Sequence, residues 1–171
     1  GLIAGMDIVG ERMENGDMFI PEVLMAAQTM EACLKILKPL LGDDAGSTGA
    51  RVIIGTVKGD LHDIGKNLVA MMMGSAGMEV TNLGVDISPE DFVAGIKKVD
   101  AQIVCLSALL TTTMPMMKQT VDAICEAGIR DQVKILIGGA PVTQAFADEI
   151  GADGFAADAG SASKLAKSLV N

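Results

Sequence analysis

His62 is the only histidine among the 171 residues. It lies in the segment Gly59-Asp60-Leu61-His62-Asp63-Ile64-Gly65. Imidazole is the side chain best suited to metal ligation or proton transfer near neutral pH. Asp60, two residues earlier, is close enough to accept a hydrogen bond from one ring nitrogen. That bond would leave the other nitrogen free for a metal ion. Two further segments carry polar or conformationally special residues: Ser107-Ala108-Leu109-Leu110-Thr111-Thr112-Thr113 and Gly138-Gly139-Ala140-Pro141.

These segments must be placed by the elements before them. The apolar run Val52 to Val57 reads as a strand ending just ahead of the histidine segment. Further strand-like runs at Glu79 to Leu83, Ile103 to Ser107, Lys134 to Ile137 and Gly154 to Ala156 alternate with helical patterns. The helical stretches are Ile64 to Ala76, Pro89 to Lys98, Met114 to Ala127, Thr143 to Ile150 and Ser161 to Val170. Such alternation predicts an α/β fold with a flavodoxin-like, doubly wound, five-stranded parallel sheet. All three segments then sit at carboxyl ends of strands, where such sheets bind ligands, and can line one cleft.

Ahead of this unit, Leu2 to Met13 and Pro21 to Leu41 have helical apolar spacing, and Pro21 suits a helix start. Two helices cannot easily bury their own apolar faces and need a partner. The expected organisation begins with a helical cap over residues 1–41. A glycine-rich linker over 42–50 and a Rossmann-like domain over 51–171 follow. A chain that starts inside a helical pattern is expected to have lost earlier residues.

A net charge of −9 argues against nucleic-acid or anionic-membrane partners, which require clustered Lys and Arg. No apolar run approaches the roughly 18 to 20 residues of a membrane span, so a soluble, cytoplasmic protein is expected. Cys33, Cys105 and Cys125 are odd in number and set in apolar surroundings, as for buried free thiols. With no Cys-x-x-Cys and one histidine, a structural zinc site is disfavoured.

Ordinary explanations exist for each feature. A lone loop histidine is commonly a hydrogen-bonded surface residue, and paired glycines commonly make a turn. Thr113 is placed to cap the helix starting at Met114. The methionines at 71–73, 114, 116 and 117 read as pliable core filler. Gly59 to Asn67 approaches a P-loop, but with one intervening residue too many and no Ser or Thr for magnesium. Neither a G-x-G-x-x-G after the first strand nor a G-x-S-x-G elbow is present.

Taken together, Asp60-x-His62-x-x-Gly65, Ser107-x-Leu109 and Gly138-Gly139 resemble the cobalamin-binding signature shared by methionine synthase, corrinoid methyl-carrier proteins and some mutases. The N-terminal Gly5 to Gly10 and Met18 to Val23 are similar to the latter half of the helical cap preceding the corrinoid domain of methyl carriers, which implies that residues 1–41 are the C-terminal half of a four-helix bundle. The resemblance implies a cobalamin or related corrinoid bound base-off, with His62 as the lower cobalt ligand. Asp60 would orient it, and Thr113 would stand where the methionine synthase pattern has a serine completing the relay.

It further implies cofactor contacts from Gly59, Leu61, Asp63, Ile64, Gly65, Ser107, Leu109, Thr111, Gly138, Gly139, Phe155, Ala159 and Gly160. The cap would contribute Met13, Phe19, Ile20 and Val23 near the upper cobalt face. The implied role is a carrier, not itself catalytic, that shuttles a methyl group on cobalt. Its partners would be a substrate-specific methyltransferase, a second methyltransferase passing the group to tetrahydrofolate or coenzyme M, and a reductive activase. The donor stays open among methylamine, methanol, methoxyaromatics and betaine. So do three other readings: a mutase subunit, a cobalamin-dependent sensor, and a non-corrinoid flavodoxin-like binding module.

Overall fold

After Arg51, every residue of strand β1 (Arg51–Val57) is buried, as a strand covered on both faces requires. The computed structural model describes residues 2–41 and 49–170. Most of the expected 42–50 linker, including Asp43 and Asp44, lies outside the described residues. In chain order β1 is followed by α3 (Ile64–Ser75), β2 (Glu79–Ile87), α4 (Pro89–Val99) and β3 (Ile103–Ser107). Then come α5 (Met114–Glu126), β4 (Lys134–Gly138), α6 (Gln144–Ile150), β5 (Gly154–Ala156) and α7 (Ala159–Leu169). The cap helices are α1 (Leu2–Glu14) and α2 (Ile20–Leu41).

The five strands form one all-parallel sheet in the order β2-β1-β3-β4-β5. The order reverses between β1 and β3, which makes their carboxyl ends the switch point. One apolar layer, centred on Ile53, Phe92, Leu106, Met117 and Ile137, packs under α4, α5 and α6. The other, with Ile54, Met73, Ile103, Leu136 and Ala166, packs under α3 and α7. Met72, Met73 and Met117 are core residues, as their sequence context suggests.

Helix starts are set by side-chain caps. Ser88 accepts the Asp91 N–H and Thr143 accepts the Phe146 N–H. Asp158 and Ser161 form a reciprocal capping box, so α7 begins at Ala159, two residues before the start expected from sequence. Cys105 is buried, but Cys33 is half-buried and Cys125 lies exposed at the last turn of α5, contrary to the expectation of three buried thiols. Among the described residues no helix is long and apolar enough to cross a membrane.

The cap lies against α3 and α7. Val23 packs with Leu68, Met72 and Ala159, while Met6, Ala27 and Met30 form a second cluster. Helix α1 crosses α7 backbone to backbone, since a Cβ on Gly160 would stand 2.7 Å from the Gly10 carbonyl oxygen. Ion pairs Lys164–Glu14 and Lys167–Asp7 flank this crossing.

Candidate functional site

Asp60 has no solvent-accessible side chain, yet it is fully surrounded by donors. Its Oδ1 accepts the His62 ring Nδ1–H at 2.7 Å and the His62 backbone N–H at 3.1 Å. Its Oδ2 accepts the Leu109 N–H at 2.8 Å and, at 3.3 Å, the Leu110 N–H. The Thr113 hydroxyl also lies 2.8 Å from Oδ2. Burial alone would raise the carboxyl pKa, but the bonds from His62, Leu109 and Thr113 outweigh it and hold the group well below the usual carboxylate range. Asp60 is therefore an anion, and it fixes the histidine proton on Nδ1.

The ring of His62 is half exposed and borders a cleft of about 650 Å³ between the sheet's carboxyl edge and the cap. Its Nε2 has no hydrogen-bond partner among the described residues, and in this tautomer it carries a lone pair. Thr56, buried within β1, donates its hydroxyl to the His62 carbonyl at 2.8 Å. The imidazole is thus tied at its ring, its backbone N–H and its backbone carbonyl.

Thr113 occupies the N-cap position of α5 but makes no side-chain cap bond, so the capping explanation is corrected. Its hydroxyl lies near both Asp60 Oδ2 and, at 2.9 Å, the Leu110 carbonyl, and it has one proton to give. The ionised carboxylate is the stronger acceptor. Thr113→Val should therefore cost the apoprotein about 1.5 kcal/mol of stability, the usual weight of a bond to a charged group. Thr113→Ser should stay within about 0.5 kcal/mol of the parent. Urea unfolding of the two variants checks this, and equal destabilisation by Val and Ser would refute it.

Leu61, His62, Asp63, Ile64 and Gly65 line the cleft, as do Ser107 and Leu109 from the second loop. Gly138, Gly139 and Ala159 also line it, and Met13 and Ile20 close it from the cap. Asp60 and Thr113 do not line it, and neither do six other expected residues. Gly59 is turned toward β2, where its N–H is held by Asp86 at 2.7 Å. Thr111 is carried into solvent by the turn that aims the Leu109 and Leu110 amides at Asp60.

Phe155 packs in the layer under α4 to α6, because alternation along β5 turns it to the opposite face, and Ala156 and Ala157 line the cleft in its stead. Gly160 lies against Gly10, Val23 is buried between the cap and α3, and Phe19 is 70% exposed outside the lining. Gly139 does have a crowded neighbour, but it is protein backbone: with φ +136, a Cβ there would stand 1.8 Å from the Ala108 oxygen.

Sequence reasoning passed over Thr56 and Asp86. Each left a trace, Thr56 as the lone hydroxyl in an apolar strand and Asp86 as a charge inside one.

Among the described residues no group of three His, Cys, Asp or Glu side chains can cage a metal ion. A metal at His62 would therefore take its remaining ligands from outside these side chains. The rim is apolar, with Leu61 and Ile64 71% and 75% exposed, as a surface that receives a large apolar ring requires.

Residues 50–164 match the B12 binding domain, and residues 1–38 match a second B12 binding domain family. The chain belongs to the B12-binding family. This B12-binding chain is 47% identical over 171 residues to dimethylamine corrinoid protein 1 of Methanosarcina acetivorans, covering 99% of itself and 80% of that protein. It is also similar to a crystal structure of a cobalamin-binding protein from Desulfitobacterium hafniense, with TM-score 0.87, 37% identity and coverage of 99% and 80%. A third match is the methanol:cobalamin methyltransferase complex MtaBC from Methanosarcina barkeri, with TM-score 0.85, 31% identity and coverage of 99% and 64%. A B12-type corrinoid suits what this cleft offers: an imidazole nitrogen without a hydrogen-bond partner, an apolar rim and, among the described residues, no cluster of three metal-ligating side chains.

Proposed function

We propose that this chain is the corrinoid-bearing carrier of a methyltransferase system, with His62 Nε2 as the lower axial ligand of cobalt and the cofactor's own base released. One observation carries the reading: the Asp60–His62 bond of 2.7 Å leaves Nε2 as a lone-pair donor on the cleft wall. The likeness to corrinoid proteins and to a methyltransferase complex supports the methyl-carrying role over a mutase, a sensor or a flavin module.

A corrinoid held here supplies a cobalt centre that accepts and gives up a methyl group. The chain's own residues do the rest. Asp60 keeps the imidazole proton on Nδ1 and raises the basicity of Nε2. Thr113, with the Leu109 and Leu110 amides, keeps Asp60 ionised although it is buried. Leu61, Ile64 and Leu109 exclude water from the ring's edge, and the small residues Gly138, Ala156 and Ala157 leave room for a tail between β4 and α7. Met13 and Ile20, from a cap spanning residues 1–41, cover the opposite side. The partners in this reading are a substrate-specific methyltransferase, an acceptor methyltransferase and a reductive activase.

Reconstitution with hydroxocobalamin tests the ligand. The parent should show the visible bands of imidazole-coordinated cobalt, and His62→Ala should lose them while still retaining corrinoid in the cleft. An unchanged spectrum in His62→Ala would reject the assignment.

A further inference from the structure

The edge strand β2 is longer than its neighbours, and its excess is gathered beside the histidine loop. One step along β1, from Ile54 to Gly55, is matched by two along β2, from Asn82 to Gly84. Two steps, from Gly55 to Val57, are matched by three, from Gly84 to Ile87. Each slip adds a residue to β2, and such irregularities re-aim side chains at sheet edges. Here they place Asp86 in the left-handed region at φ 57.

In that conformation Asp86 Oδ1 accepts the Gly59 N–H at 2.7 Å, and the Asp86 N–H donates to the Asp60 carbonyl at 3.1 Å. Two bonds from one residue thus hold the backbone immediately before His62. Beyond His62, Asn82 Oδ1 accepts from Lys66 Nζ at 2.8 Å, and Asn82 Nδ2 donates to Asn67 Oδ1 at 2.9 Å. Asn67 in turn donates to Asp63 Oδ2 at 3.0 Å. The loop carrying the imidazole is therefore bracketed from β2 on both sides. The bonds onto the Asp60 carboxylate fix its side chain, and the Asp86 bonds fix the peptide from which that side chain and His62 both hang.

We propose that Asp86 is a positioning residue for His62, setting the reach of its imidazole into the cleft through the Gly59–Asp60 backbone. This rests on His62 being the cobalt ligand. Asp86 is exposed and fills no core space, so its loss should leave the fold standing.

The test uses three variants of the chain, with and without hydroxocobalamin. Asp86→Asn retains an acceptor oxygen and tolerates the left-handed backbone, Asp86→Gly retains only the backbone, and Asp86→Ala retains neither. The first readout is the ratio of His62-coordinated to uncoordinated corrinoid in the visible spectrum, with His62→Ala defining the uncoordinated limit. That ratio should fall roughly tenfold in Asp86→Ala, fall less in Asp86→Gly and be restored in Asp86→Asn. The second readout, on the chain without corrinoid, is amide exchange over Gly59 to His62. It should speed up about tenfold in Asp86→Ala while β1 and β3 stay protected.

A parent-like ratio in Asp86→Ala, or a loss that Asp86→Asn does not restore, overturns the proposal. If His62→Ala leaves the spectrum unchanged, the ligand assignment fails and the proposal falls with it. The His62→Ala control separates that result from failure of positioning alone.

Discussion

Asp60→Asn should yield a folded protein that has lost most of its cobalt coordination. Three donors converge on Oδ2, from Leu109, Leu110 and Thr113, against two from His62 on Oδ1. An amide at this position keeps its oxygen toward the larger group and turns its NH₂ toward the imidazole. His62 Nδ1 must then accept, which moves the ring proton to Nε2 and removes the lone pair from the cleft side. Coordination should weaken by about 100-fold, the upper end of the range for residues that orient metal-bound histidines.

The cost in stability should be smaller, about 1 to 3 kcal/mol, because only the His62 backbone N–H is left facing another donor. Asp60→Ala, which strips every acceptor from these groups, should be worse on both counts. The variants also differ with pH. Because the folded-state carboxyl is held below its ordinary value, Asp60 stabilises the parent fully above about pH 4, and that contribution is lost as pH falls toward the depressed value. Asp60→Asn should lack this part of the acid sensitivity. Corrinoid titration by visible absorption and urea unfolding between pH 3 and 7 measure both effects, and parent-like coordination in the Asn variant would disprove control of the tautomer by Asp60.

Gly139→Ala should damage the cleft floor more severely than any other single methyl added to the site. At φ +136 an L-residue is strained, and its Cβ would stand 1.8 Å from the Ala108 oxygen and 2.9 Å from the Ala108 carbonyl carbon. Neither atom belongs to a side chain that can rotate away. The carboxyl ends of β3 and β4, joined by the Ala108 N–H to the Gly138 carbonyl at 3.2 Å, would have to separate. A cost of about 3 kcal/mol is expected from backbone strain and overpacking. Corrinoid affinity should fall by at least about 100-fold, because Ser107, Leu109 and Gly138 move with those strand ends. Gly74→Ala, where no atom lies within 4 Å of the added carbon, provides the control and should be neutral or slightly stabilising. Similar unfolding midpoints for the two variants would contradict this account.

Much of the fold was legible because the chain punctuates itself clearly. The apolar runs of β1, β3, β4 and β5 are bounded by turn residues, and Ser88-Pro89 announces α4 as plainly as a helix start can. β2 was cut short at Leu83 because Gly84 and Asp86 look like chain reversal. They mark instead two slips of register, which depend on how β2 meets β1 and not on local propensity.

The site was read unevenly for similar reasons. Asp60, His62 and Thr113 stood out by type, but their meeting spans some fifty residues and only the sheet brings them together. Phe155 packs under α4 to α6 and Gly160 faces Gly10, because the local sequence does not say which face of a strand a side chain takes, or which helix crosses it. Thr56 was passed over for a different reason. It is the lone hydroxyl in an apolar strand, but the sequence does not say which backbone carbonyl that hydroxyl reaches.

The interior place of β1 has a consequence for loading. Flanked on both sides by β2 and β3 and buried after Arg51, it should be among the last parts of the molecule to open. The His62 imidazole hangs from its end, held by the buried Asp60 carboxylate and the Thr56 hydroxyl. The imidazole therefore keeps its pose before any ring arrives, and capture spends little free energy on restricting it. Uptake should be governed by how quickly water leaves the apolar rim, with similar on-rates across related corrinoids whose edges present equal hydrocarbon.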